Sequence, residues 1–231
     1  MTHPPAPSAR GYDFAGYVSP ERWASYGRQL QELLGGGPGR ILEIGIGPGI
    51  VGAVLKHLGA DYESLDCDAA LRPNHVAALP RLPFADGAYD LVAAFEVLEH
   101  LPYLLFLPSL REMARVARKR VVFSLPDARR VWPFRFWIPG RGRVDVLVPR
   151  PAFRPARPDA GSRHEWELHI RGTPLRRILK DIREAGLAVE AVYRIWENPY
   201  HRMFRTVVMR PEPRNQKPGV SKLRAARKIA P

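Results

Sequence analysis

The stretch ILEIGIGPGI, residues 41–50, decides the fold. It is a short apolar run with one carboxylate, Glu43, and it leads into three glycines spaced two apart, Gly45, Gly47 and Gly49. A short apolar run bounded by glycines is typical of a buried parallel strand. A glycine-rich turn from a strand into a helix lets a ligand approach the backbone closely. The sequence therefore predicts a strand, a ligand-binding loop and a helix.

Strand-like and helix-like segments alternate on both sides of this loop. Ser19 and Pro20 predict the start of a helix that ends at Gly35. Such alternation favours an α/β fold with a doubly wound, mostly parallel sheet. Pro108 predicts a kink or a break in a helix that follows the fourth strand. The further strands are expected within residues 61–67, 75–79, 88–98, 119–126, 187–196 and 201–210, the last two as antiparallel neighbours.

The chain of 231 residues has the length of one sizeable domain. We expect a flexible leader at 1–19, a domain at 20–210 and a basic flexible tail at 211–231. Residues 127–163 interrupt the domain with proline, arginine and aromatic residues. This insertion is longer than the roughly 12–15 residues of an ordinary structureless loop. It is therefore expected to act as a cap over a binding site and to determine which molecule binds there.

Composition narrows the possible environments and partners. One cysteine excludes an intrachain disulfide, and no apolar run approaches the roughly 20 residues of a membrane span. The amino terminus lacks an apolar signal region, so a cytoplasmic location is expected. The net charge is +13, and 127–165 and 210–231 supply most of it. These basic segments favour contact with an anionic surface, nucleic acid or an acidic partner, unless they only aid solubility.

Three kinds of ligand compete for the glycine loop. A Walker phosphate loop requires a Lys-Ser/Thr pair that is absent here, and the dinucleotide fingerprint requires glycine where Ile50 stands. Glu43 would also repel a pyrophosphate, whereas it suits the cationic S-adenosylmethionine. Asp66, 23 residues after Glu43, can accept hydrogen bonds from both ribose hydroxyls. The alternative for Asp66 is the N-cap of a helix.

Several motifs in order resemble the class I S-adenosylmethionine-dependent methyltransferases of the broad small-molecule type. They are LEIGIGPG at 42–49, LDCD at 65–68, LPRLPFADGAYDLVAAFEVLEHLP at 79–102 and LREMARVARKRVVFSLP at 110–126. The resemblance implies a Rossmann-like, seven-stranded methyltransferase fold with a cap insertion, and S-adenosyl-L-methionine as the cofactor. It also implies methyl transfer to a small-molecule or lipid-like acceptor.

The resemblance carries over to individual positions. It implies that the three glycines line the methionine part of the cofactor, that Glu43 holds its amino group or orders the water bound there, and that Asp66 holds the ribose. Ala78 stands where the family often has an acid. Either backbone and apolar contacts near Ala77 to Leu79 hold the adenine, or the register of the motif has shifted. The implied cofactor-binding residues are Glu43, Gly45, Gly47, Gly49, Asp66, Cys67, Ala78, Leu79, Phe95 and Glu96, with the last two facing the sulfonium.

Catalysis needs a base only if the acceptor must lose a proton. His100, in EVLEHL, is a candidate base, with a structural cap as its alternative role. His164, in HEWELHIRG, is a second candidate that can line the acceptor pocket. Glu96, Glu99 and His100 would share one face of a helix. This cluster resembles one in the ubiquinone-type O-methyltransferases, where a divalent metal is possible. Because the motif is common without a metal, no metal is expected.

Two other functions stay open. Nucleic-acid methylation is less expected, because the sequence lacks the Asn/Asp-Pro-Pro-aromatic motif that is typical of the methyltransferases acting on the amino groups of bases. A protein that binds S-adenosylmethionine without catalysis would use the same loop and the same Asp66. The sequence does not specify the acceptor or the oligomeric state.

Overall fold

A seven-stranded sheet with helices on its faces forms the body of the molecule. The computed structural model describes residues 19–37, 39–151, 163–170 and 172–209. Apart from Ser19, the leader expected at 1–19 lies outside the described residues, as does the tail expected at 211–231. The sheet strands are β1 Ile41–Ile44, β2 Tyr62–Asp66, β3 His75–Val76, β4 Tyr89–Phe95, β5 Ala117–Pro126, β8 Leu187–Arg194 and β9 His201–Val208. The helices are α1 Pro20–Leu34, α2 Ile50–His57, α3 Phe106–Val116 and α4 Leu175–Glu184.

The strand order is β3-β2-β1-β4-β5-β9-β8. The first five strands in this order are parallel, and β9 runs antiparallel to both β5 and β8. The prediction of a doubly wound, mostly parallel sheet with an antiparallel final pair is therefore confirmed. The chain order reverses between β1 and β4, and in such sheets ligands bind in the crevice beyond the carboxyl ends of the strands at that point.

Local sequence explains where the first helix starts. The Ser19 hydroxyl accepts a hydrogen bond from the backbone N–H of Arg22 at 3.3 Å, and Pro20 occupies the first turn, as predicted. The prediction for Pro108 is wrong. Helix α3 begins at Phe106, so Pro108 lies in its first turn, where a backbone N–H has no partner within the helix. The missing N–H therefore breaks no helical hydrogen bond.

The expected insertion contains a β-hairpin. Its strands are β6 Val131–Ile138 and β7 Gly142–Pro149, paired antiparallel with Val131 opposite Pro149. Within the insertion, residues 152–162 lie outside the described part of the chain. No helix of the described residues is long and apolar enough to cross a membrane.

Candidate active site

Two different constraints explain the glycines of the loop. Gly45 has a φ of 77°, and a Cβ there would lie 2.2 Å from Cγ2 of Val97. Gly49 has a φ of 75° at the start of α2, with open space around the missing Cβ. Gly45 is thus required by the close packing of the turn after β4, whereas Gly49 is required by backbone conformation alone. Gly47, with a φ of 51°, also lies in the left-handed region.

Asp66 joins this loop to the end of β2. Its Oδ2 accepts the backbone N–H of Ile46 at 2.9 Å, and its Oδ1 accepts that of Asp68 at 2.9 Å. The alternative role as a helix N-cap belongs to Asp68, which accepts the N–H of Ala70 at 2.8 Å. A carboxylate oxygen has more than one acceptor site, so two amide donors still leave Asp66 capacity for hydroxyl groups.

Glu43 is buried beside Tyr62, which sequence reasoning did not identify. The Tyr62 hydroxyl donates to Oε2 of Glu43 at 2.5 Å. A Cβ at Gly52 would lie 2.5 Å from that hydroxyl, so a glycine in α2 makes the contact possible. Burial raises the pKa of Glu43 to about 7, the Tyr62 hydrogen bond opposes the rise, and nearby Asp66 adds to it. Gly52, three residues after Gly49, was the available signal.

The residues expected at the adenine differ in exposure. Cys67 and Ala78 are exposed beyond the carboxyl end of β2, where the N–H of Ala77 donates to the carbonyl of Asp66 at 3.1 Å. The side chain of Leu79 is buried in the hydrophobic core. Leu79 therefore has its side chain committed to packing, while Cys67 and Ala78 are accessible to a ligand.

Phe95 is the last residue of β4 and Glu96 follows it, and the two side chains have different surroundings. Phe95 is buried in the core on one side of the sheet. Glu96 has a φ of 55°, and its carboxylate lies 2.6 Å from Nδ1 of His201 and 3.4 Å from Nη1 of Arg22. Burial would raise the pKa of Glu96, but His201 and Arg22 bring it below the usual value. Glu96, expected at the sulfonium, has partners from α1 and β9.

Glu99, His100 and His164 come together beyond the end of β4. Their ligand atoms lie within 4.8 Å of one another, and the two imidazole rings are 5.1 Å apart. Glu99 is fully buried, and neither of its oxygens has a hydrogen-bond partner among the described residues. Burial and the charge of Glu96 raise the pKa of Glu99 well above its usual value. Burial and His164 lower the pKa of His100, which keeps an exposed edge.

The expected single helical face is wrong. Only Leu98–His100 form a turn of 3₁₀-helix, and Glu96 lies before it in a left-handed conformation. Glu96 therefore pairs with His201, while Glu99 and His100 face His164. Two imidazoles and a carboxylate are donors that suit a divalent transition metal. The expectation that no metal binds remains a prediction.

The segment at 163–170 lies against this turn. The N–H of Glu165 donates to the carbonyl of Glu99 at 2.9 Å, and Nε1 of Trp166 donates to that of Leu101 at 3.0 Å. Nδ1 of His164 is 2.9 Å from Oε1 of Glu167, which orients the ring. Trp166, Glu167 and Leu168 are all buried, so this part of the segment packs into the core.

Asp127, which follows β5, connects several segments of the chain and was missed by sequence reasoning. Its buried carboxylate contacts Arg194 at 2.7 Å, Arg202 at 2.8 Å and Nδ1 of His169 at 3.0 Å. Burial opposes ionisation, but these partners hold the pKa of Asp127 well below its usual range. Asp127 therefore joins the base of the hairpin, the 163–170 segment and the last two strands.

Comparison with known proteins identifies the family. Residues 18–191 match a family described as a methyltransferase domain. No curated protein matches the chain. Among solved structures, the fold is similar to the 1,6-didemethyltoxoflavin-N1-methyltransferase of Burkholderia thailandensis, crystallised with its substrate and S-adenosylhomocysteine. That pair has a TM-score of 0.55 and 16% identity, over 87% of this chain and 83% of the other.

Two further structures show the same fold. The magnesium protoporphyrin IX methyltransferase of Synechocystis, with bound SAM, has a TM-score of 0.52 and 16% identity, over 81% of this chain and 80% of that one. A glycopeptide N-methyltransferase with S-adenosylhomocysteine has a TM-score of 0.52 and 13% identity, over 89% of this chain and 100% of that one. The sheet order, the glycine loop and the family match agree, and the chain belongs to the class I S-adenosylmethionine-dependent methyltransferases.

Proposed function

We propose that this enzyme transfers a methyl group to a small-molecule acceptor whose reacting group, an amine or a hydroxyl, binds beside Glu99, His100 and His164. The observation that carries the proposal is the Glu99 carboxylate, which is fully buried without a hydrogen-bond partner among the described residues. A buried polar group left unpaired costs free energy, so a ligand that donates to Glu99 gains affinity. Amines and hydroxyls can donate such a hydrogen bond.

The cofactor is proposed to bind across the ends of β1 and β2. Glu43 would hold its amino group, Asp66 its ribose hydroxyls, and Cys67 and Ala78 would contact the adenine. The glycine loop would let the methionine part approach the backbone. Bound there, S-adenosylmethionine supplies a methyl group on a positively charged sulfur. Glu96 already has Arg22 and His201 as partners, so we assign it to the electrostatics of the site rather than to direct cofactor contact.

Positioning and proton removal are then the tasks of the acceptor side. The raised pKa of Glu99 favours its neutral carboxyl form, whose carbonyl oxygen still accepts the acceptor's hydrogen bond and so orients it. The reacting atom must line up with the methyl carbon and the sulfur. His100 takes the proton that this atom loses, because partial burial and the neighbouring His164 lower its pKa and so favour the neutral imidazole. His164, oriented by Glu167, lies on the other side of the pocket.

An apolar, lipid-like body is the acceptor type that the hairpin favours. The aromatic side chains of β6 are exposed. They follow closely in sequence after the segment that leaves the end of β5. The hairpin's arginines also favour contact with an anionic surface. Nucleic-acid methylation and binding without catalysis are the competing functions.

Methyl transfer to fractions of a cell extract, with a radiolabelled donor, tests the proposal. Solvent partition of the labelled product should place it with small molecules or lipids. Glu99→Gln and His100→Gln should each lower the rate by about 10²–10⁴-fold, the usual range for lost proton transfer and positioning. Cofactor affinity should change little.

His57→Gln, on the exposed end of α2, is the matched control and should keep full activity. Label in nucleic acid, or tight cofactor binding without any labelled product, would contradict the proposal.

A further inference from the structure

One face of the β6–β7 hairpin is wholly apolar, whereas the opposite face carries the hairpin's charged side chains, Arg135, Arg143 and Asp145, among apolar ones. Alternate residues point to the same face of a strand. One face therefore carries Trp132, Phe134, Phe136 and Ile138 of β6 and Val144, Val146 and Val148 of β7. All of these residues are apolar. The exposed fractions on this face reach 44% at Trp132, 42% at Phe134 and 51% at Phe136. An apolar face of this kind, left open in the described residues, marks an interaction surface.

The opposite face is the one that contacts the domain. The Arg135 guanidinium lies 3.8 Å above the ring of Trp196, 2.7 Å from Asp145 and 3.6 Å from Glu197. Trp196 and Glu197 belong to the connection between β8 and β9. Because Arg135 and Asp145 fix the hairpin through the face that carries its charged side chains, the wholly apolar face points away from these contacts.

Positive charge surrounds the apolar face. Residues 128–151 contain six arginines and one acidic residue, Asp145, which is already paired. Arg129, Arg130 and Arg150 are exposed at the base of the hairpin, and Arg141 is exposed at its tip. The Arg150 guanidinium lies 5.5 Å from the ring of Trp132. Arginine and tryptophan around an apolar patch are the residues that occupy the boundary between lipid headgroups and acyl chains.

We propose that the hairpin docks the enzyme on an anionic lipid surface, with its apolar face inserted at the level of the headgroups. This proposal builds on the proposed function, but its test does not depend on methyl transfer. A second copy of the chain is a poorer occupant, because it would bring a second excess of arginine against the first. Nucleic acid is also poorer, because aliphatic side chains from Ile138 to Val148 make up half of the face and offer bases no stacking.

Co-sedimentation of the full chain with vesicles tests the proposal. Vesicles of phosphatidylglycerol and phosphatidylcholine should bind the protein, and pure phosphatidylcholine should bind it at least tenfold more weakly. Phe134→Ser combined with Phe136→Ser should weaken binding to the anionic vesicles at least tenfold. Leu58→Ser combined with Val76→Ser, which changes two equally exposed apolar residues far from the hairpin, should have less than a twofold effect.

A charge-matched pair separates the hairpin from the net charge. Arg130→Ser with Arg150→Ser should weaken vesicle binding several-fold, whereas Arg111→Ser with Arg176→Ser, also exposed, should not. Unchanged affinity for S-adenosylhomocysteine shows that each variant is folded. Equal loss in both arginine pairs would show non-specific attraction and overturn the proposal.

Two other outcomes would also overturn it. One is a dimer in sedimentation without lipid that the phenylalanine variant abolishes. The other is vesicle binding that survives the hairpin variants and is lost when residues 210–231 are removed. Loss of vesicle binding with unchanged methyl transfer to a soluble acceptor would support docking while contradicting a lipid-like acceptor.

Discussion

The glycine loop at 45–49 and the turn at 96–101 lie beyond the ends of neighbouring strands, yet different forces hold them. Backbone groups hold the loop: the N–H of Gly45 donates to the carbonyl of Leu65, and that of Ile46 donates to Asp66. Charged side chains surround the turn, as in the contact of Glu96 with His201. The loop is built from residues close in sequence, whereas the turn depends on segments more than 60 residues away.

The difference explains how one fold can keep its cofactor and change its acceptor. A site made of backbone amides and glycines tolerates few substitutions, because strand geometry and close packing fix it. A site made of side chains from separate segments can change whenever one of those segments changes. By our proposal, the cofactor side therefore depends on backbone geometry, whereas the acceptor side depends on side chains that can be exchanged.

The largest effect is expected at the carboxylate that ties the acceptor side together. Asp127→Ala leaves Arg194 and Arg202 without their shared partner and should lower the free energy of unfolding by about 3–5 kcal/mol. Chemical denaturation measures the loss. Cofactor affinity of the protein that remains folded should stay within a few-fold, and a parallel loss of cofactor binding would contradict the separation of the two sides.

Asp127 also gives this contribution a pH dependence. Its pKa is lowered in the folded protein, so its stabilisation is present above the unfolded pKa of about 4 and is lost as the pH falls below it. Unfolding measured from pH 7 to pH 3 should show this loss in the wild type. Asp127→Asn should be less stable at pH 7 and should lose less on acidification.

A smaller loss of stability is expected on the cofactor side. Gly45→Ala combines a positive φ with a contact of 2.2 Å to Val97, and should cost about 2–4 kcal/mol and abolish cofactor binding. Gly59→Ala has a similar φ of 73° in open space and should cost only about 1 kcal/mol. Equal losses in both variants would show that packing against Val97 plays no part.

Asp66 should affect the binding of the cofactor more than the binding of the acceptor. Asp66→Ala removes the acceptor for the Ile46 N–H and, by our proposal, for the ribose hydroxyls. Calorimetry with S-adenosylhomocysteine should show a loss of about 1–3 kcal/mol in binding free energy. Asp68→Ala, which removes only a turn cap, is the control and should bind normally. An unchanged affinity for Asp66→Ala would remove it from the cofactor site.

The smallest effect is expected in the pH dependence of cofactor affinity, which we attribute to Glu43. Its pKa is raised to about 7, so the ionised form that pairs with an ammonium group forms as the pH rises through 7. Cofactor affinity should therefore be about tenfold weaker at pH 6 than at pH 8. Asp66 and Tyr62 face Glu43 and are unchanged in Glu43→Gln, which should abolish the pH dependence. A persistent slope in that variant would assign it to the ligand or to another group.

Much of the cofactor side could be predicted from the sequence, because its signals are local. An apolar run, three glycines and a carboxylate at the end of the next strand indicated the loop and Asp66 directly. Tyr62 was harder to identify, because its contact with Glu43 depends on the absence of a side chain at Gly52. The acceptor side was largely unpredictable, because Asp127 meets Arg194 and Arg202 only after the sheet has formed. A helical periodicity also placed Glu96 incorrectly, since it could not anticipate a left-handed residue.

The chain leaves the sheet and returns to it at almost one point. Leu168 pairs with Asp127, its N–H donates to the carbonyl of Pro126, and its carbonyl accepts the N–H of Ala128. A detour whose two ends are hydrogen-bonded to each other can be lengthened, shortened or replaced without altering the strands beside it. The hairpin can therefore be exchanged as a unit, and a chimera that carries a relative's segment between residues 128 and 163 should keep its affinity for the cofactor within a few-fold.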